Sequence, residues 1–296
     1  MNGGLGNQLY QYTFLRYLET MTGETCFVDD SAFCLGNHVE HNGYELEKIF
    51  GIKLNLLSEY FSEEVWQEMM KNRLNGVSIP QQMLDNGIDL FMAAEAAANH
   101  KFNGNTVNFN CRYTDKGMVY ALVHMTGNVY YHGYFVNYGY FNAIKSTIRS
   151  ELVFPDLRTV QGLNSNNLTY EEMINKTNSV GIHIRRGDFI KCGRALSPDK
   201  YARSIQQFEQ KYDNLTYFIF SDDAEWCMAH SAELGIDKIK GDIYYVTENC
   251  KNGFNYVDMQ LMSKCKKLIF SNSSFGTWAY LLNTTPGFEA IQADLS

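Results

Sequence analysis

The sequence predicts an α/β protein built on parallel sheet, and three observations carry that prediction. Between residues 180 and 282, short apolar runs alternate with helix-like stretches four times. Each run is apolar nearly throughout, as strands covered on both faces are. At the amino end a glycine loop, a helical stretch and a short apolar run follow one another, the order of a βαβ unit without its first strand.

Taken along the chain, Gly3-Gly4-Leu5-Gly6-Asn7-Gln8 opens a helix whose Tyr10, Phe14, Tyr17, Leu18 and Met21 share one face and which Gly23 ends. Thr25–Asp29 then reads as a strand. A second helix is expected over 58–74, with Ser62, Glu63 and Glu64 at its start. Ala93–Ala98 reads as helix and the Asn-rich 99–110 as loop. Val129–Phe135 reads as a strand running into a loop, and 137–152 as helix. A polar connection with little apolar periodicity spans 155–178, so domains of 1–160 and 161–296 are expected. Beyond it come strand 180–184 and helix 198–212, which Ser197-Pro198 opens with proline at the first helical position. Strand 216–220 precedes helix 224–234, stopped by Gly235; strand 243–246 precedes helix 255–265; strand 267–270 precedes helix 274–282.

At 296 residues the chain is larger than one usual core, which agrees with two domains. A net charge of −8 argues against nucleic acid as a partner, since nothing offsets repulsion from phosphates. No apolar run approaches the roughly 20 residues of a membrane helix. The seven cysteines are scattered without a Cys-x-x-Cys pair, which fits reduced thiols in the cytoplasm better than a disulfide frame or a zinc site.

Four clusters fall at strand ends or helix starts, where ligands of α/β proteins gather. The first is His183-x-Arg185-Arg186-Gly187-Asp188. Adjacent arginines cannot shed their protons, and their planar forks match phosphate oxygens two at a time, so a diphosphate is the expected ligand. His183 lies on the same face of its strand as Arg185, as a ligand contact or as a satisfied core histidine. The second cluster, Ser221-Asp222-Asp223, offers one aspartate to cap the following helix and one to bind a base or ribose. The third, Ser271-Asn272-Ser273-Ser274, aims backbone N–H groups and a helix dipole at an anion, beyond what capping alone needs. The opening loop is the fourth. It is not a P-loop, and Gly4-x-Gly6 is only a fragment of a dinucleotide fingerprint, with leucine at position 9 where the third glycine would stand. No Asp-x-Asp motif occurs, so a sugar-nucleotide enzyme of this sequence would neutralise its leaving group with arginines and helix dipoles.

These clusters, in this order, resemble glycosyltransferase family 11, the bacterial and animal α-1,2-fucosyltransferases. The matching segments are GGLGNQLYQY, YYHGYFVNYGYF, HIRRGDF, FSDDAEWC and DMQLMSKCKKLIFSNSSFGTW, spread from residue 3 to about 283. The resemblance implies a GT-B-type fold, two Rossmann-like domains facing each other across a cleft, the second binding GDP-fucose and the first lying on the acceptor side. It implies inverting transfer of L-fucose to the 2-hydroxyl of a galactose-terminated glycan, with no metal and no other cofactor. Arg185 and Arg186 would hold the diphosphate, His183 and Asp222 would face guanosine, and Ser273 and Ser274 would contact phosphate. Asn7 would lie near the transferred sugar, with Gly4 and Gly6 of the same loop beside the substrate. Asp188 is a candidate base, and an ion pair with Arg185 or Arg186 is its other reading. Residues 130–141, rich in tyrosine, could line the acceptor side. A lipid-linked acceptor would bring peripheral membrane contact. Of five Asn-x-Ser/Thr sequons, Asn272-Ser273-Ser274 lies in the expected donor site, which again favours the cytoplasm.

The sequence departs from the family pattern in two places. Family members usually carry a short apolar strand before the glycine loop, where only Met1 and Asn2 stand here. SFGTWAYLL stands where a tryptophan pair often follows the serine run. Competing readings are a fucosyltransferase of another linkage, a nicotinamide oxidoreductase and a non-catalytic carbohydrate-binding protein. The oxidoreductase would need the full glycine fingerprint, and the binding module has no need of an arginine pair.

Overall fold

The structure is a computed structural model that describes residues 1–36, 41–95, 101–109, 125–249 and 253–295. It divides into two units, Met1–Val153 and Phe154–Ser296. The division falls at 153/154 against the expected 160/161, because the segment after it packs on the second unit. Leu157 is buried there, and Gln260 Nε2 donates to the Pro155 carbonyl at 2.8 Å.

The amino-terminal unit begins with α1 (Leu5–Thr22), N-capped by Gly4 and closed by Gly23 in the left-handed region. Short helices α2 (Leu46–Phe50) and α3 (Leu57–Tyr60) precede α4 (Glu63–Leu74), which the Ser62 side chain caps by accepting from the Val65 N–H. Then come α5 (Ile79–Asp85), β1 (Leu90–Glu95), β2 (Thr106–Phe109), β3 (Asn128–His132), α6 (Tyr138–Ala143) and α7 (Lys145–Glu151). The three strands are parallel in the order β2-β1-β3. Phe14 and Leu18 of α1 pack on Ala93 of β1 and Phe109 of β2; Phe14 stacks on Phe135, centroids 4.0 Å apart.

Three expectations for this unit fail, the first being the loop over 99–110, whose residues Thr106–Phe109 form β2. Residues 93–95 form strand, not helix; 96–98 lie outside the described residues. Alanine favours helix in isolation, but β1 sits between two strands, where Ala93 and Ala94 are fully buried and small side chains fit. Thr25–Asp29 makes only an isolated bridge, Val28 to Leu56. Two further expectations need adjustment. Helix 58–74 is interrupted at Phe61, and 137–152 at Ile144, whose backbone leaves the helical region.

The carboxy-terminal unit holds α8 (Asn166–Lys176), β4 (Asn178–Ile184), α9 (Gly187–Lys191), α10 (Pro198–Lys211), β5 (Leu215–Ser221) and α11 (Ala224–Ala229). Next come β6 (Asp242–Val246), α12 (Asn255–Met262), β7 (Lys267–Phe270), α13 (Ser274–Leu282) and β8 (Glu289–Gln292). All five strands are parallel in the order β6-β5-β4-β7-β8. Val180, Ile182 and Ile184 of β4, Tyr217 and Ile219 of β5, and Tyr201, Ile205 and Phe208 of α10 form one core cluster. Every residue of β5 and β7 is buried, which is why their sequences read as unbroken apolar runs.

The polar connection expected over 155–178 contains a helix. α8 has a thin apolar stripe, with Ile174 and Asn167 its buried residues. Asn167 and Asn249 exchange side-chain amide hydrogen bonds at 2.9 and 2.7 Å, and the Asn249 Nδ2 also donates to Asp258 Oδ1 at 2.7 Å. This buried amide pair replaces apolar packing and leaves no periodic signal. Among the described residues no helix is long and apolar enough to cross a membrane.

Candidate functional site

The strand order reverses between β4 and β7. β5 and β6 extend the sheet on one side of β4, β7 and β8 on the other, so crossovers leave in opposite directions and open a crevice at the carboxyl ends. His183 is the second-last residue of β4 and pairs with Phe270 of β7. Arg185 and Arg186 follow directly, and Ser271 follows β7.

His183 is buried, and its Nδ1 lies 3.0 Å from the Ser271 Oγ. Burial, and then the nearby Arg185 charge, push its pKa down to about 3, so the imidazole is neutral at ordinary pH. α13 is pressed against it. A Cβ at Gly276 would lie 2.6 Å from His183 Nδ1, so only glycine permits this approach. The Ser273 Oγ accepts from the Phe275 N–H at 3.3 Å and caps the helix; Ser274 is its first residue. The amino end of α13 therefore lies at the switch point, its dipole added to the arginine charges. His183 acts here as the strut between β4, Ser271 and α13, the packing reading its strand position also allowed.

Three carboxylates engage the arginine pair. Arg185 Nη2 donates to Asp188 Oδ1 at 2.6 Å, and its Nη1 lies 3.0 Å from Asp222 Oδ2. Its buried Nε makes no hydrogen bond among the described residues. The Arg186 backbone N–H donates to Asp222 Oδ1 at 2.9 Å, and its Nε donates to Asp223 Oδ2 at 3.4 Å. Asp223 also caps α11 by accepting from the Trp226 N–H at 3.3 Å. One aspartate of the pair caps, as expected, while Asp222 binds the arginine segment. Asp188 forms the ion pair that was its other reading.

The opening loop belongs to the amino-terminal unit. Gly4 caps α1, and Gly6 is buried in its first turn beside Asn7. The buried Gln8 organises the loop. Its Nε2 donates to the carbonyls of Gly3 and Gly43, each at 2.8 Å, and its Oε1 accepts from the Glu45 N–H at 2.9 Å. No local signal in the sequence points to this role, since two of the three partners lie 35 and 37 residues away. In the same unit Arg73, Lys101, Tyr130 and His132 line a cavity of about 480 Å³. Of the ten predicted site residues, His183, Arg185, Arg186, Asp188, Asp222, Ser273 and Ser274 thus belong to the carboxy-terminal unit, and Gly4, Gly6 and Asn7 share the first turn of α1.

Comparison with known proteins supplies the class of chemistry. The description of Glycosyl transferase family 11 matches residues 85–296. The chain belongs to this family. Two curated relatives from Escherichia coli align along almost the whole of this family 11 chain. An "Alpha-1,2-colitosyltransferase" is 28% identical, covering 97% of this chain and 90% of the relative. The "O-antigen biosynthesis glycosyltransferase WbnK" is 25% identical, covering 96% of this chain and 89% of the relative. Among solved structures, the fucosyltransferase NodZ from Bradyrhizobium shares the fold, with a TM-score of 0.50 and 15% identity over 95% of this chain and 90% of that one. The α/β fold of GT-B type is thereby borne out, and the protein is a glycosyltransferase of family 11.

Proposed function

We propose that this glycosyltransferase transfers L-fucose from GDP-fucose, with inversion, to the 2-hydroxyl of a galactose-terminated glycan. The observation that carries the reading is that Arg185 and Arg186 follow β4 while the amino end of α13 follows the neighbouring parallel strand β7, at the switch point of the sheet. That arrangement suits a nucleoside diphosphate leaving group. The names of the E. coli colitosyltransferase and of the Bradyrhizobium fucosyltransferase support an α-1,2 linkage and a fucose donor respectively.

In the reaction the acceptor oxygen attacks the anomeric carbon as the carbon–oxygen bond to the β-phosphate breaks, and the electron pair leaves with GDP. Charge grows on the β-phosphate in a transition state of oxocarbenium character. Arg185 and Arg186 offset it, together with Ser273, Ser274 and the α13 dipole, in place of a metal ion. The Arg186 terminal nitrogens make no hydrogen bond among the described residues and face an anion with a full fork. Asp222 fixes the segment through two contacts, and Asn7, with Gly4 and Gly6, contributes from the acceptor side. The hydroxyl proton passes to a carboxylate. Asp188, already paired with Arg185, is the available one in the arginine segment. We place the reaction in the cytoplasm, on the thiol pattern.

Calorimetric titration with GDP tests the donor, and a donor and acceptor panel with product linkage read by NMR tests the rest. GDP-colitose belongs in that panel, because the 28% identical relative is named for colitose. Undiminished transfer in EDTA is expected. An absence of heat with GDP would sink the proposal. Arg186→Ala is expected to lower kcat by roughly 10²- to 10³-fold with an unchanged circular dichroism spectrum.

A further inference from the structure

Trp226 is the third residue of α11, and both faces of its indole are occupied. On one side lies the Arg186 guanidinium, its Cζ 3.1 Å from the ring centroid. On the other lies His230, with ring centroids 4.2 Å apart and planes 17° from parallel. His230 Nδ1 is 2.9 Å from the Trp226 carbonyl oxygen, one helical turn back, which holds the imidazole flat against the indole. Asp223 closes the circuit. Its Oδ1 accepts from the Trp226 N–H while its Oδ2 accepts from Arg186 Nε. Trp226 also packs against the core cluster that holds Cys227.

We propose that Trp226 is a positioning residue for the donor diphosphate: it fixes the plane of the Arg186 guanidinium and takes no part in binding the base. A tryptophan beside a nucleotide site is ordinarily read as a stacking platform for the base. Here no face is left for one. An arginine side chain has four rotatable bonds, and its fork recognises a diphosphate only when its plane is set in advance. Ring and carboxylate together set it. The Nε edge is turned to Asp223 and one face to Trp226, while the two terminal nitrogens make no hydrogen bond among the described residues. The three-layer stack of Arg186, Trp226 and His230 thereby transmits the rigidity of the core to the anion site. The inference rests on the donor-binding reading above and adds a residue to it.

The test compares GDP, guanosine and inorganic pyrophosphate as ligands for the wild type, Trp226→Phe and Trp226→Leu, measured by calorimetry. Loss of a partly desolvated cation–π contact predicts that Trp226→Leu weakens GDP and pyrophosphate by roughly 3- to 30-fold, with guanosine unchanged. Trp226→Phe keeps an aromatic face and should recover most of that loss. Because Trp66 and Trp278 are buried, GDP should also change tryptophan emission in the wild type and leave Trp226→Phe unaffected. An equal weakening of guanosine and GDP would overturn the proposal, since the indole would then be reading the base. Unchanged pyrophosphate affinity in both variants would overturn it as well. Should Trp226→Leu fail to fold, Trp226→Phe still decides, by a loss of about 2-fold for pyrophosphate against none for guanosine. A wild type that binds pyrophosphate but not GDP removes the donor reading and leaves the role of Trp226 toward the anion standing.

Discussion

Two buried groups of the carboxy-terminal unit should oppose each other as pH changes. His183 is pushed down to about 3 by burial and the Arg185 charge. Asp258 is pushed up to about 7, by burial first, with Glu248 adding and the Asn249 hydrogen bond opposing. Unfolding restores their ordinary values of 6.5 and 3.8. The neutral His183 therefore contributes stability present above pH 6.5 and lost as pH falls toward 3. The protonated Asp258 contributes stability present below pH 3.8 and lost as pH rises through 7. Each window can carry on the order of 4 kcal/mol, so between pH 4 and 7 the two nearly cancel and the wild type should show a shallow dependence from this pair. Single substitutions unmask it. Asp258→Asn should exceed the wild type by up to roughly 4 kcal/mol at pH 8 and by little at pH 4. His183→Gln should gain stability relative to the wild type as pH falls from 7 to 4. Urea unfolding at closely spaced pH values, followed by circular dichroism, measures both differences. A constant offset between Asp258→Asn and the wild type across pH 4 to 8 would refute the reasoning, because Asp258 would then titrate alike folded and unfolded.

Other expected outcomes are more local. Gly276→Ala places a methyl 2.6 Å from His183 Nδ1 and 3.2 Å from the Phe270 Cβ. It should cost about 1–3 kcal/mol in urea unfolding and weaken GDP through displacement of the α13 amino end. Asp222→Ala removes the acceptor of the Arg186 N–H and one partner of Arg185, and should cost about 1 kcal/mol of stability while raising the donor KM. Ile182→Ala, a truncation of a fully buried side chain in the central strand, should cost about 2–5 kcal/mol and lower the thermal midpoint without altering the donor KM at permissive temperature.

The sequence made the carboxy-terminal sheet legible because β4, β5 and β7 are covered on both faces, and uninterrupted burial writes itself as uninterrupted apolar sequence. The β4–β7 switch point followed from the order of those runs. β8 was not foreseen. Glu289–Gln292 is half-buried throughout, a short edge strand without an apolar run. Helix 224–234 stops at Ala229, and turns and a 3₁₀ segment fill the way to Lys238. In the amino-terminal unit, Ala93 shows local preference losing to sheet position. At the candidate site, residue types and strand ends were readable, but partnerships were not. Asp222 meets Arg186 across 36 positions, and that choice between carboxylates depends on how far Gly187 lets the two segments approach. Trp226 was legible only as part of a motif, since the arginine that stacks on it comes from the segment after β4 and not from its own neighbourhood in the chain.

The Asn167–Asn249 amide pair has a consequence for the order of assembly. α8 is the first long helix of its unit to be synthesised, yet its one buried polar group waits for a partner 82 residues later. At translation rates of about 5–20 residues per second, that wait is about 4–16 s, during which α8 has only a thin apolar stripe to hold it. β4 and β5 can pair meanwhile. The helix that precedes them in the chain should therefore dock after them, and a ribosome stalled before residue 249 should display α8 to proteases while the sheet behind it is already protected.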